Sequence, residues 1–188
     1  LSGQQDNTSR LVDYIDDEDP IVKYGNPILR EKSKFVTNFD DQLPEFIARM
    51  KEIMRTANGV GLAAPQVGVL KRIFIYDSGD SVQAVINPKI TRSKGEQVGE
   101  EGCLSLPGLQ GEVTRAYEVV VKGQDEFGDP IKIRAEEFLA RVIQHEIDHL
   151  DGILFIDEGR ADPDTLHWLT AEETAEEEAD GSLKRIQE

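Results

Sequence analysis

Two histidines four residues apart, in Arg141-Val142-Ile143-Gln144-His145-Glu146-Ile147-Asp148-His149-Leu150-Asp151-Gly152, constrain this chain more than any other feature. At about 3.6 residues per turn, that spacing puts His145 and His149 on one helix face, where both imidazoles reach one cation. Glu146, beside the first, is placed to take a proton from a water that the cation activates, the arrangement of metal-assisted hydrolysis at H-E-x-x-H. Leu139, Val142, Ile143, Ile147 and Leu150 recur at helical spacing, so the predicted helix buries one side and presents the other to a site. Glu136 and Glu137 stand favourably at its positive end, and Gly152 supplies a left-handed stop. A core helix that carries two histidines by chance would show the same pattern, so the reading depends on what else the chain offers.

A catalytic metal site usually takes three protein ligands and keeps a position open for water or substrate. Cys103 is the candidate third ligand, because a thiolate binds soft and borderline metals strongly and the chain has no other cysteine. A single cysteine also excludes an intrachain disulfide. At 188 residues the chain is long enough for one domain with a proper core. Its apolar runs, such as Gly152-Ile153-Leu154-Phe155-Ile156, fall far short of the roughly 20 residues that span a bilayer. The acid-rich start, with Asp6, Asp13, Asp16, Asp17, Glu18 and Asp19, does not resemble a signal peptide, so a cytoplasmic protein is expected.

The net charge of −16 is unevenly spread. Residues 1–20 hold six acids and one arginine, or −5; residues 157–188 hold eleven acids and three bases, or −8; residues 21–156 therefore carry only −3. This divides the chain into an acidic, flexible N-terminal extension (1–20), a nearly neutral catalytic domain (21–156) and an acidic C-terminal tail (157–188). Neither end offers the Lys and Arg clusters that phosphate contacts need, so no direct nucleic-acid binding is expected.

Along the chain, Leu43, Phe46, Ile47, Met50, Ile53, Met54 and Ala57 predict an amphipathic helix within 38–58, capped by Asn38 or Asp40 and ended by Gly59. Gly59-Val60-Gly61-Leu62-Ala63-Ala64-Pro65-Gln66 follows, a run of small residues that lets backbone approach a ligand closely. Strands are expected at Arg72–Asp77 and Val82–Asn87, joined by a Ser78-Gly79-Asp80 turn, with Pro88 ending the second. Two more are expected at Glu112–Lys122 and Ile131–Arg134. Thr170-Ala171-Glu172-Glu173 fits a capping box for one short helix in the tail. Strands followed by one central helix indicate an α+β fold.

Three motifs together resemble the peptide deformylase family, in that family's order: Gly59-Val60-Gly61-Leu62-Ala63-Ala64-Pro65-Gln66, Glu101-Gly102-Cys103-Leu104-Ser105 and Gln144-His145-Glu146-Ile147-Asp148-His149. The resemblance covers about residues 21 to 156. It implies antiparallel β-sheets around a central helix that carries the H-E-x-x-H motif. The implied reaction removes the formyl group from the N-terminal formylmethionine of new polypeptides. N-formylmethionyl peptides would be the partners, close to the ribosome and away from any membrane. Cys103, His145 and His149 would bind the metal, Fe(II) foremost with Zn(II), Ni(II) or Co(II) as substitutes. Glu146 would be the general base and then the acid, Gln66 and the backbone N–H of Leu104 would hold the developing oxyanion, and Gly61 would face the substrate backbone. Gln110 departs from the larger or basic residue that many members carry near the substrate entrance.

The same H-E-x-x-H belongs to metallopeptidases. The subclass with a histidine three residues after the glycine is excluded, because that position is Phe155. The subclass with a downstream glutamate ligand would use Glu172 or Glu173, and leaves Cys103 and Gln66 without a role. A structural metal module would need a fourth ligand, for which His167 is the remaining histidine. To hold the cysteine loop in place, an ion pair is expected between Glu101 and Arg115, which would tie that loop to the next strand.

Overall fold

The structure is a computed structural model and describes residues 10–175. Its centre is an antiparallel sheet of five strands in the order β1-β2-β3-β6-β7: β1 Gly61–Ala63, β2 Ile73–Asp77, β3 Val82–Lys94, β6 Glu118–Gln124 and β7 Pro130–Glu136. A second antiparallel sheet contains β4 Gln97–Cys103, β5 Leu106–Arg115 and β8 His167–Trp168, in that order. The two helices are α1, Gln42–Thr56, and α2, Glu137–Leu150. This is the α+β arrangement expected, with antiparallel sheets around the helix that carries the two histidines.

The alternation of β2 explains how the helices are placed. Ile73 and Ile75 pack with Leu43, Phe46, Ile47 and Met50 of α1, while Phe74 and Tyr76 pack with Val142, Ile143 and Ile147 of α2. Successive side chains of a strand point to opposite faces, so β2 is buried on both sides and the sheet lies between the helices. In β1 the same rule sends Leu62 towards α1 and Ala63 towards α2. Gly61, two residues from Ala63, therefore shares the α2 side. A third apolar cluster, Leu106, Val113, Leu154 and Phe155, joins the smaller sheet to the chain that leaves α2.

Several boundaries differ from the sequence reading. Helix α1 stops at Thr56, and the left-handed residue that follows is Asn58, at φ 58°, rather than Gly59; asparagine tolerates this conformation at a helix end. Asp40 does serve at the start, accepting the Gln42 N–H at 3.1 Å. Pro88 does not end β3. The register shifts between Ile86 and Lys89, and Asn87 takes φ 53°, so the missing proline N–H falls at a bulge where no ladder bond is needed. Strand β4 and the far end of β3 add to the strands expected from sequence.

The strand expected over Glu112–Lys122 is two strands in different sheets, divided at Ala116-Tyr117. Gln144 of α2 makes the division tenable, because its Oε1 accepts the Ala116 N–H and its Nε2 donates to the Ala116 carbonyl, each at 3.0 Å. The Ala116 backbone groups that would pair with a neighbouring strand are thus satisfied by side chains, Gln97 Nε2 also donating to the carbonyl at 3.0 Å.

The acidic ends also pack more than charge alone implies. Within 10–20, Leu11–Tyr14 forms a 3-10 turn against α1, Ile15 is buried, and Asp17 pairs with Arg49 at 2.9 Å. Beyond residue 156, Asp157 pairs with Arg30, Leu166 joins the third cluster, and His167–Trp168 adds a strand to the smaller sheet. The boundary drawn at 156 therefore lies inside packed chain. Residues 171–175 are helical, and Thr170 and Glu173 make the expected capping box. Residues 1–9 and 176–188, which complete the two acidic ends, lie outside the described residues. Among the described residues, no helix is long and apolar enough to cross a membrane.

Candidate metal centre

The two histidines face the C-terminal end of β4. His149 Nε2 lies 3.2 Å from His145 Nε2 and 3.3 Å from Cys103 Sγ, and the three ligand atoms fall within 4.8 Å of one another. Bond lengths of about 2.0–2.1 Å to nitrogen and 2.3 Å to sulfur, at tetrahedral angles, would separate nitrogens by roughly 3.4 Å and sulfur from nitrogen by roughly 3.6 Å. The two separations measured from His149 therefore already stand close to the edges of a tetrahedron around one ion. His145 donates its Nδ1–H to Glu101 Oε2 at 2.9 Å, which leaves Nε2 for the metal, the carboxylate–histidine pairing typical of metal sites. The donor set and its spacing fit a divalent cation.

Cys103 is placed by charge. Glu101, two residues earlier on β4, receives Arg115 in a two-pronged pair, Nε to Oε1 and Nη2 to Oε2, both at 2.9 Å. This is the ion pair expected from sequence, and it is part of something larger. Arg141 of α2 donates to Glu101 Oε1 at 2.8 Å and to the Val113 carbonyl at 2.9 Å, and Asp148 of α2 joins Arg115 to Arg160. Glu101, Arg115 and Arg141 are all buried. Burial alone would raise the Glu101 pKa, but Arg115 and His145 overcome it and hold the carboxyl well below its usual range. Burial likewise disfavours the Arg115 cation, and Glu101 and Asp148 reverse that.

Glu146 is in a different state. It is buried, its Oε2 has no hydrogen-bond partner among the described residues, and burial pushes its pKa up to about 7 despite the opposing pull of His145. A carboxylate poised there exchanges protons readily near neutral pH. Room for it comes from Gly61: a Cβ at that position would sit 2.4 Å from Glu146 Oε1. His145, opposed by burial, is drawn well above its ordinary pKa by Cys103 and Glu101, while burial and the neighbouring His145 push His149 well below.

Gln66 completes the inner wall. Its Oε1 accepts the Ala63 N–H at 2.9 Å, so Nε2 is the free end of the amide, donating to Ser105 Oγ at 3.2 Å and lying 3.5 Å from Cys103 Sγ. Leu104 occupies the turn between β4 and β5. Gly61, Gln66, Cys103, Leu104, His145 and Glu146 all line one groove of about 770 Å³. His149, the remaining site residue, is buried behind them.

Three contributors were not identified from sequence: Arg141, Asp148 and Ser105. Arg141, His145, Asp148 and His149 share one face at spacings of three and four, so a polar stripe on an otherwise apolar helix was the available signal. The rival ligands fall elsewhere. Glu173 is exposed and caps Thr170, and His167 is exposed with its ring between Thr165 and Glu100. Among the described residues neither joins the group formed by Cys103, His145 and His149.

Comparison with known proteins agrees with this geometry. Residues 18–163 match the polypeptide deformylase family model. A peptide deformylase of Caldicellulosiruptor bescii is 53% identical over 137 residues, covering 73% of this chain and 82% of the relative. That of Halothermothrix orenii is 53% identical over 139 residues, covering 73% and 90%. The crystal structure of peptide deformylase from Thermotoga maritima superimposes with a TM-score of 0.74 at 46% identity, covering 76% of this chain and 97% of that one. A Synechococcus elongatus peptide deformylase in complex with actinonin gives 0.74 at 39% identity, covering 79% and 84%. With its three motifs gathered at one groove, the chain belongs to the polypeptide deformylase family.

Proposed function

We propose that this enzyme removes the formyl group from the N-terminal formylmethionine of nascent polypeptides, with Cys103, His145 and His149 holding one divalent metal and Glu146 carrying the proton. The observation that carries the reading is the buried Glu146 carboxyl, with its unpartnered Oε2, in the groove that Cys103 and His145 also line. A divalent ion bound there supplies Lewis acidity, polarising the formyl carbonyl and making water a nucleophile near neutral pH.

The remaining work falls to the chain's own groups. Glu146 takes a proton from the attacking water as oxygen bonds to the formyl carbon, then delivers it to the amine nitrogen as the C–N bond breaks. The products are formate and a peptide with a free amino terminus. Negative charge gathers on the former carbonyl oxygen. The Gln66 Nε2 donor and the Leu104 N–H stabilise it, a contribution typically worth about a hundredfold or more per donor. Gly61 lets the peptide backbone approach while leaving space for the base.

One thiolate and two imidazoles suit Fe(II), Zn(II), Ni(II) and Co(II) alike, and availability often decides among them. Fe(II) is our choice, supported by the family resemblance. Such a substrate places the enzyme in the cytoplasm, near the ribosome. The test is formate release from a formyl-Met peptide, with metal measured on the same sample. Stoichiometric metal with turnover supports the reading, and a fully metal-loaded chain that releases no formate overturns it.

A further inference from the structure

We infer that Arg160, which lies outside all three motifs, is a positioning residue for the metal: it fixes the Asp148 carboxylate and, through Arg115 and Glu101, the imidazole of His145. The inference rests on the proposed ligand set and extends it to the chain that leaves α2. Each link is a hydrogen bond between charged or ligating groups. Arg160 Nη2 donates to Asp148 Oδ1 at 2.8 Å, and Asp148 Oδ2 accepts from Arg115 Nη1. Arg115 Nη2 donates to Glu101 Oε2 at 2.9 Å, the same oxygen that takes the His145 Nδ1–H at 2.9 Å. Arg141 grips the other oxygen, Oε1, so the one that His145 uses is set from the Arg115 side.

Asp148 holds this chain together by giving one oxygen to each arginine. Its side chain is only 12% exposed, so losing Arg160 would leave Oδ1 unpaired in a poorly solvated site and free the carboxylate to turn, drawing Arg115 with it. The backbone gives Arg160 a firm base. Its N–H donates to the Asp157 carbonyl, that of Ala161 to Phe155, and that of Asp162 to Glu112 on β5, each at 2.9 Å. Arg160 Nε is buried without a hydrogen-bond partner among the described residues. A guanidinium that forgoes a bond at Nε while reaching Asp148 through Nη2 is placed for that one contact. Arg115, Asp148 and Arg160 also line a cavity of about 360 Å³ that shares no residue with the lining of the substrate groove. Deleting the Arg160 side chain would enlarge that cavity beside Asp148 and leave room for a free guanidinium ion.

The experiment measures how fast the zinc-loaded protein surrenders its metal to excess chelator. Arg160→Ala should release zinc about tenfold faster than the unaltered protein, the lower end of what losing a supporting partner costs a metal site. Arg160→Lys, which keeps the charge, should recover most of the difference. Asp157→Asn, which breaks the Arg30 pair on the same loop and leaves Asp148 with both arginines, should release zinc at the unaltered rate. Guanidinium ion, at concentrations well below denaturing, should slow release from Arg160→Ala by restoring the contact from the cavity, and urea at the same concentration should not. An unaltered release rate in Arg160→Ala, an equal acceleration in Asp157→Asn, or equal responses to guanidinium and urea would overturn the inference. An unaltered protein that takes up no zinc would instead count against the ligand set itself.

Discussion

His145 and His149 stand on a helix held against the five-stranded sheet by hydrophobic packing, whereas Cys103 stands at the end of a strand pinned by buried charge. On the helical side Val142, Ile143, Ile147 and Leu150 fill one apolar cluster with Phe74, Tyr76 and Val85. On the cysteine side Glu101 gathers Arg115, Arg141 and His145. The difference teaches which property each half contributes. Packing is tolerant in direction and holds a helix face broadly in place; a two-pronged arginine–carboxylate pair fixes a strand end in one geometry. A site built across two sheets needs the second kind of constraint, because nothing in the sequence neighbourhood of Cys103 would otherwise set its distance from α2.

The largest expected effect falls where the two halves meet. Glu146→Gln should keep the metal, since both sets of ligands are untouched, yet lower formate release by about 10²–10⁴, the usual worth of a positioned acid–base group. Full activity in the metal-loaded variant would break the account of Glu146. Gly61→Ala should act through the same carboxyl, because the added Cβ would lie 2.4 Å from Glu146 Oε1 and the side chain must move. We expect about a hundredfold loss of kcat/KM at near-normal metal content; an unaltered rate would show that Glu146 tolerates displacement.

The halves themselves can be broken separately. Arg115→Met leaves Glu101 and Asp148 buried without a main partner and should cost about 3–5 kcal/mol in chemical denaturation. Ile143→Ala on the helical side should cost about 2–5 kcal/mol by leaving a cavity. The distinction lies in rescue: adding Glu101→Gln should recover part of the Arg115→Met loss and none of the Ile143→Ala loss. Equal behaviour of the two backgrounds would erase the contrast between charge and packing. The smallest effect sharpens it. Asp157 and Arg30 pair at 2.6 Å near the surface, and Asp157→Asn should cost at most about 1 kcal/mol at neutral pH. Burial alone would raise the Asp157 carboxyl, but Arg30 holds it below its ordinary 3.8, so this stability is present above that pH and lost as pH falls through the folded value. The Asp157→Asn difference should therefore vanish in acid and weaken with salt.

The same contrast governs what was legible in the sequence. Period and spacing exposed α2, most of α1 and the two histidines, because packing writes a regular pattern. The motif around Cys103 singled out the thiol that the structure brings up to the two histidines, and the expected Glu101–Arg115 pair is present. Arg141 and Asp148 escaped notice because a charged residue on a helix normally faces water, and only the assembled sheets bury these. The division of the chain at Ala116 was illegible for a related reason, since it depends on Gln144 supplying hydrogen bonds from a distant helix. Net charge separated the ends from the body, yet Leu166 and Ile15 show how a few apolar residues attach an acidic segment to it.

In the proposed function one ion is held jointly by both halves, through Cys103, His145 and His149. X-ray absorption on the zinc-loaded protein tests it most directly. One sulfur at about 2.3 Å and two imidazole nitrogens at about 2.0–2.1 Å are expected, with the sulfur shell lost in Cys103→Ala. A first shell of nitrogen and oxygen alone in the unaltered protein would contradict it.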